Sequence, residues 1–278
     1  MENDHVQHET GTPLTIGVFD SGVGGLTVAR AVLARLPSAQ LIYLGDTAHV
    51  PYGPRSLAQV RDFALQIIAF LFDRGADAVV IGCNMSAAAG ADVAARARFE
   101  RPIFAVIEPG SAAAIAASPD GRIGVIATQG TINSGIYGRT LRALGAQHVF
   151  EQACPGFVPL VERGEAAGAE VEAAVNEYLT PLRGANIDTL IFGCTHYPYL
   201  RAAVGRFLGP AVALIDPADF VAAQVAAHFS AYPAGDSGGQ VQHRFFSSGD
   251  PESLRREGER FLGLPLIAVE QVDVPVED

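Results

Sequence analysis

The chain has 278 residues, 49% of them hydrophobic, enough for one generous or two modest cores, so a folded globular protein is expected. Thirty acidic against 19 basic side chains give a formal charge of -11 with no basic cluster, which argues against partners such as nucleic acid or an anionic membrane. Gly, Asp and Arg interrupt every apolar run before the roughly 18 residues a membrane span requires, and the polar, acidic opening has no secretory signal, so residues 1–14 read as a disordered tail on a cytoplasmic protein.

Short Val/Ile/Leu-rich runs then alternate with longer segments of helical period, the pattern of parallel sheets covered by helices, and the class is α/β. Strands are predicted over Ile16–Phe19, Leu41–Leu44, Ala78–Ile81, Ile103–Val106, Ile123–Ala127, Thr189–Phe192, Val212–Ile215 and Arg244–Phe246. Between the second and third, Ser56 is placed to cap a helix running to Asp73, with Val60, Phe63, Ala64, Ile67, Ile68 and Leu71 as its apolar stripe. The stretch Gly235–Gly239 reads as a loop late in the chain.

An internal repeat organises these elements. Ile16-Gly-Val-Phe-Asp-Ser-Gly22 resembles Ile123-Gly-Val-Ile-Ala-Thr128, placing Ser21 opposite Thr128, and Asp77-Ala-Val-Val-Ile-Gly-Cys83 matches Asp188-Thr-Leu-Ile-Phe-Gly-Cys194. The expectation is two similar parallel-sheet α/β sandwich domains related by a pseudo-twofold, residues 15–106 with 216–278 forming one and 107–215 the other. Ligands of such sheets sit beyond the carboxyl ends of strands, so the active site belongs between the halves.

Three widely spaced cysteines in a chain without an export signal do not suggest a disulfide framework. Cys83 and Cys194 end equivalent strands, whereas Cys154 has no counterpart and reads as structural. Two buried structural thiols are one reading of the pair. A metal site with His196 lacks ligand spacing, and a redox disulfide lacks the CxxC context. Inverting a stereocentre needs a base on one face and an acid on the other, which two opposed thiols can supply. Asp20, Glu162 and His196 are candidate tuners of those thiols, and Ser21, Asn84, Thr128 and Thr195 are candidate hydrogen-bonding groups for an amino acid. The loop Asp20–Gly25 is either an anion-holding helix start or a glycine turn for close packing; it fits no nucleotide motif. Gly45–Gly53 is a turn-rich loop, surface or functional.

At Asp20-Ser-Gly-Val-Gly-Gly-Leu26, Gly45-Asp-Thr47, Pro51-Tyr-Gly53, Gly82-Cys-Asn84, Ile107-Glu-Pro-Gly110 and Gly193-Cys-Thr-His-Tyr-Pro198, the chain resembles the aspartate/glutamate racemase family, in its glutamate-specific branch, from about Ile16 to Phe229. The resemblance implies cofactor-independent interconversion of L- and D-glutamate, without pyridoxal phosphate or metal, supplying D-glutamate for peptidoglycan. It implies Cys83 and Cys194 as catalytic acid/bases facing the D- and L-enantiomer's proton respectively, assisted by Asp20, Glu162 and His196. Asp20, Ser21, Tyr52, Gly53, Asn84, Thr195 and His196 would line the substrate site, and a homodimer is expected. The chain departs from the family at Met85, where a substrate-contacting threonine is usual and a thioether cannot donate; Ser86 or a backbone amide could replace that donor. His49 stands where an arginine is more familiar, and Gln129 also varies. An enzyme acting on aspartate or another small acidic amino acid, and a non-catalytic amino-acid-binding protein, remain the competing readings.

Overall fold

In the computed structural model, residues 13–231, 241–266 and 268–274 are described. The strands are β1 (Thr15–Asp20), β2 (Gln40–Gly45), β3 (Ala78–Ile81), β4 (Ile103–Ala105), β5 (Arg122–Ala127), β6 (His148–Ala153), β7 (Thr189–Gly193), β8 (Ala213–Ile215), β9 (Arg244–Ser247) and β10 (Val269–Gln271). They form two wholly parallel sheets, in the orders β10-β9-β2-β1-β3-β4 and β6-β5-β7-β8. The α/β class and the two-sheet organisation are therefore as the pattern predicts.

The repeat is topological as well as sequential. β2-β1-β3-β4 and β6-β5-β7-β8 have the same order, so the two Gly-Cys motifs leave corresponding strands beside each sheet's central one. Eight strands match the predicted positions to within a residue or so, while β6 and β10 were not predicted. Both are edge strands. β6 reads His-Val-Phe-Glu-Gln-Ala and is half-buried along most of its length, so it lacks the continuous apolar run of the central β1 and β7. The three residues of β10 are too few to carry a period.

The helix Leu57–Asp73 forms as expected: the Ser56 hydroxyl accepts from the Gln59 amide in a capping box, and all six residues of the predicted stripe are buried. The helix Pro217–His228 packs on both Leu26–Arg35 of the first half and Ile107–Ala117 of the second, joining the layers. Residues 1–12 of the expected tail and the loop Gly235–Gly239 lie outside the described residues; Leu14 is buried, and its carbonyl accepts from the Gln40 amide.

Candidate active site

Cys83 follows β3 at the start of the short helix Asn84–Ala88, and is buried. Its extended backbone turns the sulfur towards the helix start, where the Ser86 amide donates to Sγ at 3.5 Å. Burial pushes this thiol up to about 12, and the charge of Asp20 adds to the effect; donors on Ser86 and the Ser21 backbone offset part of it. Cys83 is thus held as a neutral thiol at neutral pH. Tyr52, Val60, Phe63, Met85 and Ala89 form the apolar cluster around it.

Cys194 follows β7 and leads through Thr195 and His196 into the 3-10 turn Tyr197–Leu200. Its sulfur lies 3.8 Å from His196 Nδ1. On the other side of the ring, His196 Nε2 is 3.2 Å from Glu162 Oε1, a charge contact that lacks hydrogen-bond alignment. Burial would lower the imidazole's pKa, yet Cys194, Glu162 and Asp20 together raise it to about 10. His196 therefore carries a proton at neutral pH, beside one of the two thiols.

The glycine loop joins these environments. Asp20 Oδ2 accepts from the Gly25 amide at 2.7 Å and from Thr195 Oγ1 at 3.4 Å. Thr27 Oγ1 donates to the Thr195 carbonyl at 3.4 Å. Gly24 is pressed against the Cys194 loop: a Cβ there would lie 2.6 Å from two atoms of the His196 ring. Of the two readings of this loop, close packing is the one these contacts describe, and one helix-start amide is already taken by Asp20.

The remaining predicted residues gather at the same strand ends. Asn84 is buried and its Oδ1 accepts from the Tyr137 hydroxyl of the second half at 2.6 Å. Met85 Sδ lies 3.9 Å from Thr131 Oγ1, and Thr131 in turn is 3.1 Å from the Thr128 hydroxyl. Ser21 and Thr128 are half-buried at the ends of β1 and β5. Gly53 is exposed, with its carbonyl against Gly130 of the second half. Tyr52 is buried and donates to Asp46 Oδ2 at 2.5 Å. Glu162 closes the helix Phe157–Glu162.

Sequence reasoning passed over several residues. Asp46 is fully buried and also binds His49 Nδ1 at 2.8 Å and Ser248 Oγ at 2.6 Å, so the Gly45–Gly53 loop, exposed at Ala48, Val50, Pro51 and Gly53, is ordered around one buried carboxylate. Its signal was the Gly45-Asp-Thr motif, where a carboxylate ends a buried strand. Thr131 and Tyr137 carried no comparable signal, since they reach the site only because the second half folds over the first. Cys154 is buried at the end of β6, its thiol pushed up by burial, and its carbonyl accepts from the Tyr197 hydroxyl at 2.8 Å. Among the described residues, no group of three or more His, Cys, Asp or Glu is placed to hold a metal ion, and no helix is long and apolar enough to cross a membrane. The arrangement offers one thiol held neutral and a second beside a protonated imidazole, at corresponding ends of two like sheets.

Comparison with known proteins bears on this chemistry. Residues 26–225 match the family model described as Asp/Glu/Hydantoin racemase. The chain is 48% identical over 260 residues to a glutamate racemase of Desulforudis audaxviator, covering 90% of this chain and 94% of that protein. In structure it is similar to a Bacillus anthracis glutamate racemase isoform, with a TM-score of 0.87 at 39% identity, covering 95% of this chain and 99% of that one. A Francisella tularensis glutamate racemase in complex with D-glutamate gives 0.86 at 32% identity, with the same coverage.

Proposed function

The chain belongs to the Asp/Glu/Hydantoin racemase family, and from that premise we propose that it is an isomerase interconverting L- and D-glutamate, with Cys83 and Cys194 as its acid/base pair. The observation that carries the mechanism is the placement of two buried thiols at corresponding strand ends of a four-strand order that both sheets share. With L-glutamate bound, Cys194 beside protonated His196 acts as the base that removes the α-proton. Cys83, held as a neutral thiol, delivers a proton to the opposite face of the resulting carbanion. The reverse direction exchanges the roles. It requires Cys83 to ionise, and a substrate ammonium placed against Asp20 offsets the negative charge that otherwise opposes this.

Asp20, Glu162 and His196 assist the thiols in this reading, and Asp20, Ser21, Tyr52, Gly53, Asn84, Met85, Thr128, Thr195 and His196 line the substrate site. No cofactor takes part. The catalytic unit comprises one domain of residues 15–106 with 216–278 and a second of 107–215, consistent with the strands of each sheet. A cytoplasmic homodimer delivering D-glutamate to peptidoglycan synthesis completes the proposal.

The test is polarimetry combined with α-proton exchange in deuterated water, started separately from each enantiomer of glutamate and of aspartate. Racemisation and exchange with glutamate are expected. Glutamate binding with neither signal would overturn the enzymatic reading, and faster turnover of aspartate would overturn the substrate.

A further inference from the structure

The last helix, Pro251–Leu262, follows a strand of the six-stranded sheet, yet its end is bound to the second half at three points. Arg260 Nη2 donates to the Val161 carbonyl at 2.8 Å and the Glu162 carbonyl at 3.2 Å, both at the C-terminal end of the helix Phe157–Glu162. The Phe261 ring is fully buried and meets the His196 ring edge-on at 5.5 Å and the Tyr199 ring at 4.7 Å. The Tyr199 hydroxyl donates back to the Arg260 carbonyl at 3.2 Å.

These contacts close on the two members of one charge pair. Glu162 is 45% exposed, so water competes for its carboxylate, whereas His196 opposite is only 8% exposed. The neighbouring Arg163 is turned away onto Glu165 and Glu170. Gly164 makes room for the arginine: its φ of +87° is left-handed, and a Cβ there would lie 2.7 Å from Arg260 Nη1. We infer that Arg260 and Phe261 are positioning residues that hold Glu162 and His196 in register, and through them the acid/base work at Cys194. The inference rests on the racemase reading for its catalytic consequence and on the contacts alone for its structural one.

The charged groups facing His196 are Cys194 on its own loop, Asp20 on the glycine loop and Glu162 on its helix. The Arg260 guanidinium lies over the Phe261 ring, 5.0 Å from its centroid, and Arg30 approaches Tyr199. Loosening Glu162 removes one of the interactions that raise the imidazole's pKa, so the expected direction is down.

The experiment follows the His196 Cε1 proton by NMR titration and glutamate turnover by polarimetry, in the full chain. Arg260→Ala should lower the His196 pKa by about one unit or more and cut kcat about tenfold with KM within about twofold. Arg260→Lys should recover part of both, because one donor can still reach the carbonyls. In a Glu162→Gln background Arg260→Ala should add less than about twofold. An unmoved His196 titration in Arg260→Ala, or losses from the two substitutions that multiply, would sink the inference. Should Arg260→Ala fail to fold, Gly164→Ala must reproduce the titration shift, and an unchanged titration there has the same meaning. An inactive wild-type protein would instead remove the racemase reading while the titration still reports on the clamp.

Discussion

Cys83 and Cys194 follow corresponding strands of a four-strand order that both sheets share, and their surroundings diverge at the next residue. After Cys83 the chain turns into the helix Asn84–Ala88, whose Ser86 amide faces the sulfur within an apolar cluster. After Cys194 it enters a 3-10 turn that puts an imidazole 3.8 Å from the sulfur and a carboxylate behind the imidazole. Burial near a negative charge favours a neutral thiol on one side, while a cation stands beside the other. The repeated topology thus places a buried thiol at the same point in each half, and the loops that do not repeat give the two thiols different surroundings.

The strongest way to break this comparison is to remove one sulfur at a time. Cys83→Ser and Cys194→Ser should each slow racemisation by about a thousandfold. Cys83→Ser should still exchange the α-proton of L-glutamate for deuterium, and Cys194→Ser that of D-glutamate; exchange of both enantiomers in either variant would mean the thiols do not divide the faces.

A smaller effect is expected at the imidazole, where His196→Asn should cost about a hundredfold in kcat. It also carries a signature in stability. The folded-state pKa of about 10 lies above the ordinary 6.5, so the protonated ring contributes fully below about pH 6.5, and that contribution is lost as pH rises towards 10. Urea unfolding should therefore show the gap between wild type and His196→Asn narrowing over that window. A constant gap would contradict a raised imidazole.

On the Cys83 side, Met85→Thr places a second hydroxyl beside Thr131 and should lower KM for glutamate by about tenfold, the scale of one hydrogen bond to a charged group. The lost thioether packing should cost about 1 kcal/mol of stability, read in the same urea experiment. An unchanged KM would place Met85 outside substrate contact. The smallest effect sharpens how the two halves are held together: Tyr137→Phe leaves the buried Asn84 Oδ1 without its donor and should cost about 1 to 2 kcal/mol in unfolding free energy, with turnover reduced only a few-fold.

Much of the scaffold was legible because buried parallel strands must be apolar along their whole length. β1, β3, β5 and β7 carry the repeat in plain sequence, and their junctions marked Asp20, Ser21, Cys83, Asn84, Thr128, Cys194 and His196. Edge strands were harder to read: β6 is only half-covered, so its polar residues conceal the repeat's other member. Other hydrogen-bonding partners at these strand ends were hidden, because they lie far away in sequence. Tyr137 is 53 residues from Asn84, and Ser248 is 202 from Asp46.

The sequence by itself determined the class, the duplicated strands and the two thiols at their ends, since local hydrophobic pattern fixes which segments become buried strands and where each one stops. Only the tertiary structure decided that Asp20 bears on Cys83, that Glu162 stands behind the His196 ring, and that Arg260 and Phe261 reach across to that pair. Protonation depends on burial and on charges a few ångströms away, and those distances are set by packing between segments that no sequence period connects.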